Sequence, residues 1–110
     1  MKRGEIIIVE YPFTDQSGSK RRPALVVQSD KIRSPDVLIA AISASAQLTP
    51  TRVLIEPARE TASRLTSVSV VRCENLSTVQ PTLVLGAIGN LSKVAMQEVD
   101  KCLKLALGLT

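Results

Sequence analysis

Reactive side chains follow or precede three predicted strands, namely Arg22, Ser43 with Ser45, and Arg72 with Glu74. If these strands share one sheet, the side chains meet in a single groove. A guanidinium presents a planar fork of donors that matches a phosphate, a hydroxyl donates a hydrogen bond, and a carboxylate accepts a proton. The set is therefore suited to breaking a phosphodiester bond.

Cleavage of RNA by its own 2′-hydroxyl is the reaction that needs such groups. The hydroxyl must lose a proton, the phosphorane gains negative charge, and the 5′-oxygen must accept a proton. Arg22 and Arg72 would clamp the non-bridging oxygens, and Ser43 would position the phosphate. Glu74 is the carboxylate base in reach, provided that partial burial raises its pKa. Alternatively, Arg72 and Glu74 form only a surface ion pair, worth under about 1 kcal/mol.

A cationic segment precedes the second predicted strand, where Gly18 and Pro23 bracket three consecutive basic residues. We interpret it as a loop that faces an anion, although it also fits a solvated basic turn that discourages edge pairing. The candidate substrate-binding residues are Ser19, Lys20, Arg21, Ser45 and Gln47.

Composition narrows the function classes. The chain of 110 residues has a net charge of +4, 2% aromatic residues and no histidine. The charge favours an anionic partner, and the few aromatics disfavour a sheet that stacks bases. Without histidine, Ser-His-Asp and Cys-His catalysis and Cys/His zinc sites are excluded. We also expect no metal site and no cofactor.

One domain spanning residues 1–110 is expected from the length. No apolar run approaches the roughly 18 residues of a membrane span, and Cys73 and Cys102 lie far apart, which predicts a cytoplasmic protein with reduced thiols. The β-branched runs predict a mainly β fold in which several short strands precede one C-terminal helix. Ser92 suits the N-cap of that helix, and Gly108 suits its C-terminal cap.

The order of these landmarks resembles the PemK/MazF toxin family. The resemblance spans nearly the whole chain, and its motifs are Arg3-Gly4-Glu5-Ile6, Arg21-Arg22-Pro23-Ala24-Leu25-Val26-Val27, Ala40-Ala41-Ile42-Ser43, Ser69-Val70-Val71-Arg72-Cys73-Glu74, and Val99 to Leu109.

This resemblance implies an SH3-like barrel of about five to seven strands with a C-terminal helix. It also implies a homodimer that cleaves single-stranded mRNA at short sequences without metal, leaves a 2′,3′-cyclic phosphate and a 5′-hydroxyl, and is neutralised by a cognate antitoxin. Arg22 matches the family's catalytic arginine, and Ser43 stands where many members carry a catalytic threonine. Arg72-Cys73-Glu74 matches an Arg-Cys-Asp segment that supplies acid and base in one branch.

Two other functions remain open from the sequence. A similar fold occurs in toxins that inhibit DNA gyrase without catalysis, and a small barrel can also bind nucleic acid without cleaving it. Inhibition of gyrase does not need Arg22 or the Arg72 and Glu74 pair.

Overall fold

The computed structural model describes residues 1–12, 19–44 and 47–109. They form six strands, two short 3₁₀ turns and one helix: β1 Glu5–Pro12, β2 Ser19–Val26, β3 Val37–Ser43, β4 Arg52–Ile55, a turn at Thr61–Ser63, β5 Ser69–Val79, a turn at Pro81–Leu83, β6 Val84–Asn90 and α1 Lys93–Leu107. In this part of the chain, no helix has the length and apolar character needed to cross a membrane.

The strands form one antiparallel sheet in the order β4-β5-β3-β2-β1-β6. Its ends approach each other, because Gly89 of β6 packs on the turn that follows β4. A Cβ atom at Gly89 would lie 2.3 Å from the Ala62 carbonyl oxygen and 2.5 Å from that of Ser63. The predicted mainly β fold with a C-terminal helix is confirmed.

Apolar side chains form a separate core cluster on each face of the sheet. Ile6 and Leu25 lie in the cluster beneath α1, whereas Ile7 and Ala24 lie in the other. Because successive side chains of a strand point to opposite faces, a strand buried on both sides is an unbroken apolar run. This explains the run of β-branched residues in β1.

The helix α1 begins and ends as its sequence predicts. The Ser92 hydroxyl oxygen accepts a hydrogen bond from the Ala95 N–H at 3.1 Å, and Gly108 ends the helix with a φ of 69°. The Ser92 N–H and hydroxyl also donate to the two carboxylate oxygens of Glu60, at 2.9 and 2.8 Å. Val99 is fully buried against the sheet. Thus α1 is fixed both to the core and to the segment after β4.

The strand β5 contains an irregularity that shapes the site. Its partner β3 pairs Ala40 with Leu76 but the next residue, Ala41, with Arg72, so residues 73–75 are left out of this ladder. Cys73 N–H instead bonds the Thr51 carbonyl at 3.0 Å. The strand therefore continues through Arg72, which the sequence predicts as its end, and bends there.

Candidate active-site groove

A groove of about 570 Å³ lies over the middle strands and is lined by three of the four predicted catalytic residues, Arg22, Ser43 and Arg72. They come from β2, β3 and β5, which are neighbours in the sheet. The volume is within the range of ordinary ligand sites. The predicted convergence of these three residues is therefore observed.

Strand register explains why the three side chains share one face. Ala24 of β2 lies opposite Ala41 of β3, and Ala41 lies opposite Arg72 of β5. Arg22 precedes Ala24 by two residues and Ser43 follows Ala41 by two, so in antiparallel strands both lie on the same side and the same face. Since the Ala41 side chain ends at Cβ, space remains between the two arginines.

The sequence predicts a loop at the basic residues before Pro23, but they lie in β2, which begins at Ser19. They alternate along the strand, so Lys20 and Arg22 line the groove while Arg21 does not. The prediction that Arg21 binds substrate is therefore not supported by its position. Of Ser19, only the backbone is described.

The other two predicted binding residues follow β3. Ser45 lies outside the described residues. Gln47 is exposed and does not line the groove. Its main-chain carbonyl accepts a hydrogen bond from the Arg52 side chain at 2.7 Å. The prediction that Gln47 binds substrate is therefore not supported by its position.

Glu74 lies behind Arg72 and outside the groove. Its Oε1 accepts hydrogen bonds from the Thr51 hydroxyl at 3.0 Å and from Arg52 Nε at 3.2 Å. Its Oε2 accepts from Arg52 Nη2 at 3.2 Å and from Arg72 Nε at 3.1 Å. One carboxylate thus holds two guanidinium groups.

These contacts determine the protonation of Glu74. Burial raises the pKa of the carboxyl group, but hydrogen bonds from Arg52, Thr51 and Arg72 outweigh it and lower the pKa from 4.5 to about 2. A general base would need a raised pKa. In this arrangement Glu74 is a poor proton acceptor, contrary to the role expected from the sequence.

The groove is electropositive. Lys20, Arg22 and Arg72 line it, and none of the described residues that line it is acidic. Cations that line a cleft attract an anionic ligand. Across residues 1–12, 19–44 and 47–109, no three His, Cys, Asp or Glu side chains cluster as metal ligands.

Several groove residues were missed by the sequence analysis. They are Tyr11, Thr66, Ser67, Ser69 and Asn75, with Arg52 and Thr51 behind them. Tyr11 pairs with Lys20 across β1 and β2, a register that could have been found by aligning the two runs. Burial raises the pKa of the Tyr11 phenol, and its hydrogen bond with Ser77 lowers it less. Tyr11 therefore stays neutral at physiological pH.

The fold and groove define a small β-sheet protein with a cationic groove that two arginines and a serine line. A family model described as PemK-like, MazF-like toxin of type II toxin-antitoxin system matches residues 2–107, and the chain belongs to this family. The family expected from the sequence is confirmed, and with it the functional class of a MazF-like endoribonuclease toxin.

Curated relatives match over almost their full length. Endoribonuclease EndoA of Bacillus subtilis (strain 168) is 31% identical over 114 residues, which covers 99% of this chain and 96% of the relative. Endoribonuclease MazF of Staphylococcus saprophyticus is 28% identical over 114 residues, covering 99% and 92%.

Solved structures share the fold at lower sequence identity. A mycobacterial endoribonuclease in complex with its cognate antitoxin superposes with a TM-score of 0.81 at 19% identity, covering 100% of this chain and 97% of that one. The toxin MazF-mt6 of Mycobacterium tuberculosis gives a TM-score of 0.78 at 22% identity, covering 96% and 98%.

Proposed function

We propose that this chain cleaves single-stranded mRNA by attack of a 2′-hydroxyl on the adjacent phosphorus, without a metal ion. The bond from the 2′-oxygen to phosphorus forms as the bond to the 5′-oxygen breaks. A proton leaves the 2′-hydroxyl and a proton is taken up by the 5′-oxygen, so the products are a 2′,3′-cyclic phosphate and a 5′-hydroxyl. The observation that carries this proposal is the convergence of Arg22, Ser43 and Arg72 in one groove.

Arg22 and Arg72 bind the non-bridging oxygens of the scissile phosphate from opposite sides of Ala41. Their positive charges stabilise the phosphorane more than the ground state, because the phosphorane carries more negative charge. Ser43 donates a hydrogen bond to the same group and fixes its distance from the arginines. Charge stabilisation and positioning by these three residues supply the greater part of the rate enhancement.

Glu74 serves in this proposal to hold Arg72 rather than to accept the proton. Its lowered pKa and its hydrogen bond with Arg72 Nε support that role. The arginine then presents its terminal nitrogens in a fixed direction.

Flanking nucleotides bind along the rest of the groove. Lys20 neutralises a neighbouring phosphate, and hydroxyl and amide side chains from Ser67 and Asn75 can bond base edges. Such contacts give preference for a short sequence. The Watson–Crick edges of the bases are free in a single strand, whereas base pairing occupies them in an RNA duplex.

A cognate antitoxin neutralises the enzyme by covering the cationic groove with an acidic segment. Support comes from the groove's charge and from the structure of a mycobacterial relative solved with its antitoxin. Family membership further supports action in the cytoplasm and a homodimeric state. Light scattering on the purified protein would test whether it is a dimer.

The deciding experiment is incubation of purified protein with end-labelled single-stranded RNA in EDTA. Cleavage with 5′-hydroxyl ends is expected. A gel shift without cleavage would indicate a nucleic-acid-binding barrel. If the RNA is neither cleaved nor shifted, an inhibitor of gyrase would be favoured. Cleavage that stops in EDTA and returns with a divalent cation would contradict the metal-independent route.

A further inference from the structure

We infer that Arg52 is a positioning residue of the groove, one that fixes Arg72 through Glu74. This inference rests on the proposed function, because it names what holds one of the phosphate-contacting groups in place. Arg52 itself does not line the groove.

Arg52 makes three side-chain hydrogen bonds. Its Nε and Nη2 reach the two oxygens of the Glu74 carboxylate, each at 3.2 Å, and its Nη1 donates to the Gln47 carbonyl at 2.7 Å. Only 16% of its side chain is exposed. A planar guanidinium with several donors can hold two partners in fixed directions, which a lysine ammonium does not do.

The link to Arg72 passes through a shared oxygen. Glu74 Oε2 accepts from Arg52 Nη2 and also from Arg72 Nε. Neither Nη1 nor Nη2 of Arg72 bonds another residue within the described ranges, while Nε is occupied. The carboxylate therefore sets the direction of the guanidinium and leaves its outer nitrogens for a phosphate.

Without Arg52, Glu74 would lose its bidentate partner. The carboxylate would keep single contacts with Thr51 and Arg72 and could rotate with them. A shift of about 1 Å at a group that binds the reacting phosphate can lower the rate about 100-fold.

Arg52 also contacts the described residues just before β4. Its Nη1 donates to the main-chain carbonyl oxygen of Gln47 at 2.7 Å, and its main-chain N–H donates to the Thr49 carbonyl at 3.0 Å. Arg52 thus connects residues 47–49 to β5 through Glu74.

A purely structural ion pair between β4 and β5 would give a different result. Removing such a pair would change the melting temperature without changing the turnover of the molecules that remain folded. Replacing a residue that binds RNA directly would instead raise KM. Replacing a positioning residue lowers kcat while KM stays nearly constant, because the phosphate still binds but the transition state is held less well.

The test compares Arg52→Met and Arg52→Lys with Arg59→Met. Arg59 is the matched control, because its side chain is 82% exposed and the change removes the same charge outside the groove. RNA cleavage is measured over substrate concentrations from well below KM to saturation, at a temperature where circular dichroism shows all variants folded. We expect Arg52→Met to lower kcat about 10- to 100-fold with little change in KM, Arg52→Lys to restore it only in part, and Arg59→Met to match the wild type.

Two results of this comparison would overturn the inference. One is a kcat for Arg52→Met equal to that of Arg59→Met, and the other is a loss that appears only in KM. The double variant Arg52→Met with Glu74→Gln adds a further check, since residues that act through each other lose less together than the sum of their separate losses. Additive losses would show that Arg52 does not act through Glu74.

A second readout separates this inference from the proposed function. The NMR signal of the Arg72 Nε–H group reports its hydrogen bond with Glu74 whether or not the protein cleaves RNA. We expect this signal to shift and broaden in Arg52→Met and to stay in place in Arg59→Met. If the wild type fails to cleave RNA, the proposed function falls, whereas an unchanged Arg72 signal in Arg52→Met refutes the positioning role itself.

Discussion

Arg52 and Arg72 lie directly opposite each other on β4 and β5, and the carboxylate of Glu74 bonds both. Like charges opposite each other in a sheet repel and destabilise the pairing. Glu74 offsets that repulsion, and the two guanidiniums in turn keep it ionised. The arrangement places one cation in the groove and the other behind it.

Arg22→Ala should abolish most RNA cleavage while the fold stays intact. Arg22 lines the groove, and removing a charge that stabilises the phosphorane costs about 100- to 1,000-fold in kcat. The free energy of unfolding should change by no more than about 0.5 kcal/mol, because the side chain is exposed. Cleavage assays and denaturant titration check the two parts. Arg21→Ala is the matched control, since Arg21 does not line the groove, and an equal loss there would contradict the assignment.

Ser43→Ala should lower kcat about 10- to 100-fold by removing a hydrogen bond to the reacting phosphate. Ser43→Thr keeps the hydroxyl and should retain most of the activity. Kinetics at saturating RNA distinguish the two variants. Equal activity in Ser43→Ala and Ser43→Thr would exclude the hydroxyl from the reaction.

Glu74 should contribute stability that disappears in acid. Its folded pKa is about 2 and its ordinary value is 4.5, so the contribution is present above about pH 5 and is lost as the pH falls through 4 towards 2. After allowance for solvent screening at a side chain that is 33% exposed, the contribution is about 1 kcal/mol. Urea unfolding of wild type and Glu74→Gln at pH 7 and pH 3 measures it. A difference that grows towards acid would contradict the lowered pKa.

Gly89→Ala should destabilise the fold by about 1–3 kcal/mol, because the added Cβ meets backbone carbonyl oxygens of Ala62 and Ser63 that cannot easily move. Thermal denaturation would show the loss. Gly86→Ala on the same strand is the comparison, since nothing lies within 4 Å of its Cβ position and only backbone strain at its φ of 153° opposes the change. A smaller loss at Gly89 than at Gly86 would show that the close approach is not maintained in solution.

Local sequence signals predict the elements and part of the site. The β-branched runs predict strands, and Ser92 and Gly108 predict both ends of α1. Arg22 and Ser43 could be placed together because each adjoins a buried strand, and antiparallel neighbours bring such positions to the same face.

Long-range contacts account for what the sequence does not predict. The segment before Pro23 is rich in cations, and its composition predicts a loop. Pairing with β1 makes it a strand instead and turns Arg21 away from the groove. The pKa of Glu74 depends on Arg52, which lies 22 residues earlier and faces it only after β4 and β5 have paired. Local patterns do not encode either effect.

The position of α1 affects when the protein can finish folding during synthesis. This helix covers one core cluster with Val99 and holds Glu60 through Ser92, yet it is translated after all six strands. A nascent chain that stops at β6 leaves that cluster exposed to water, which costs about 25 cal/mol for each Å² of apolar surface. The ribosome must therefore translate α1 before this core cluster can be covered.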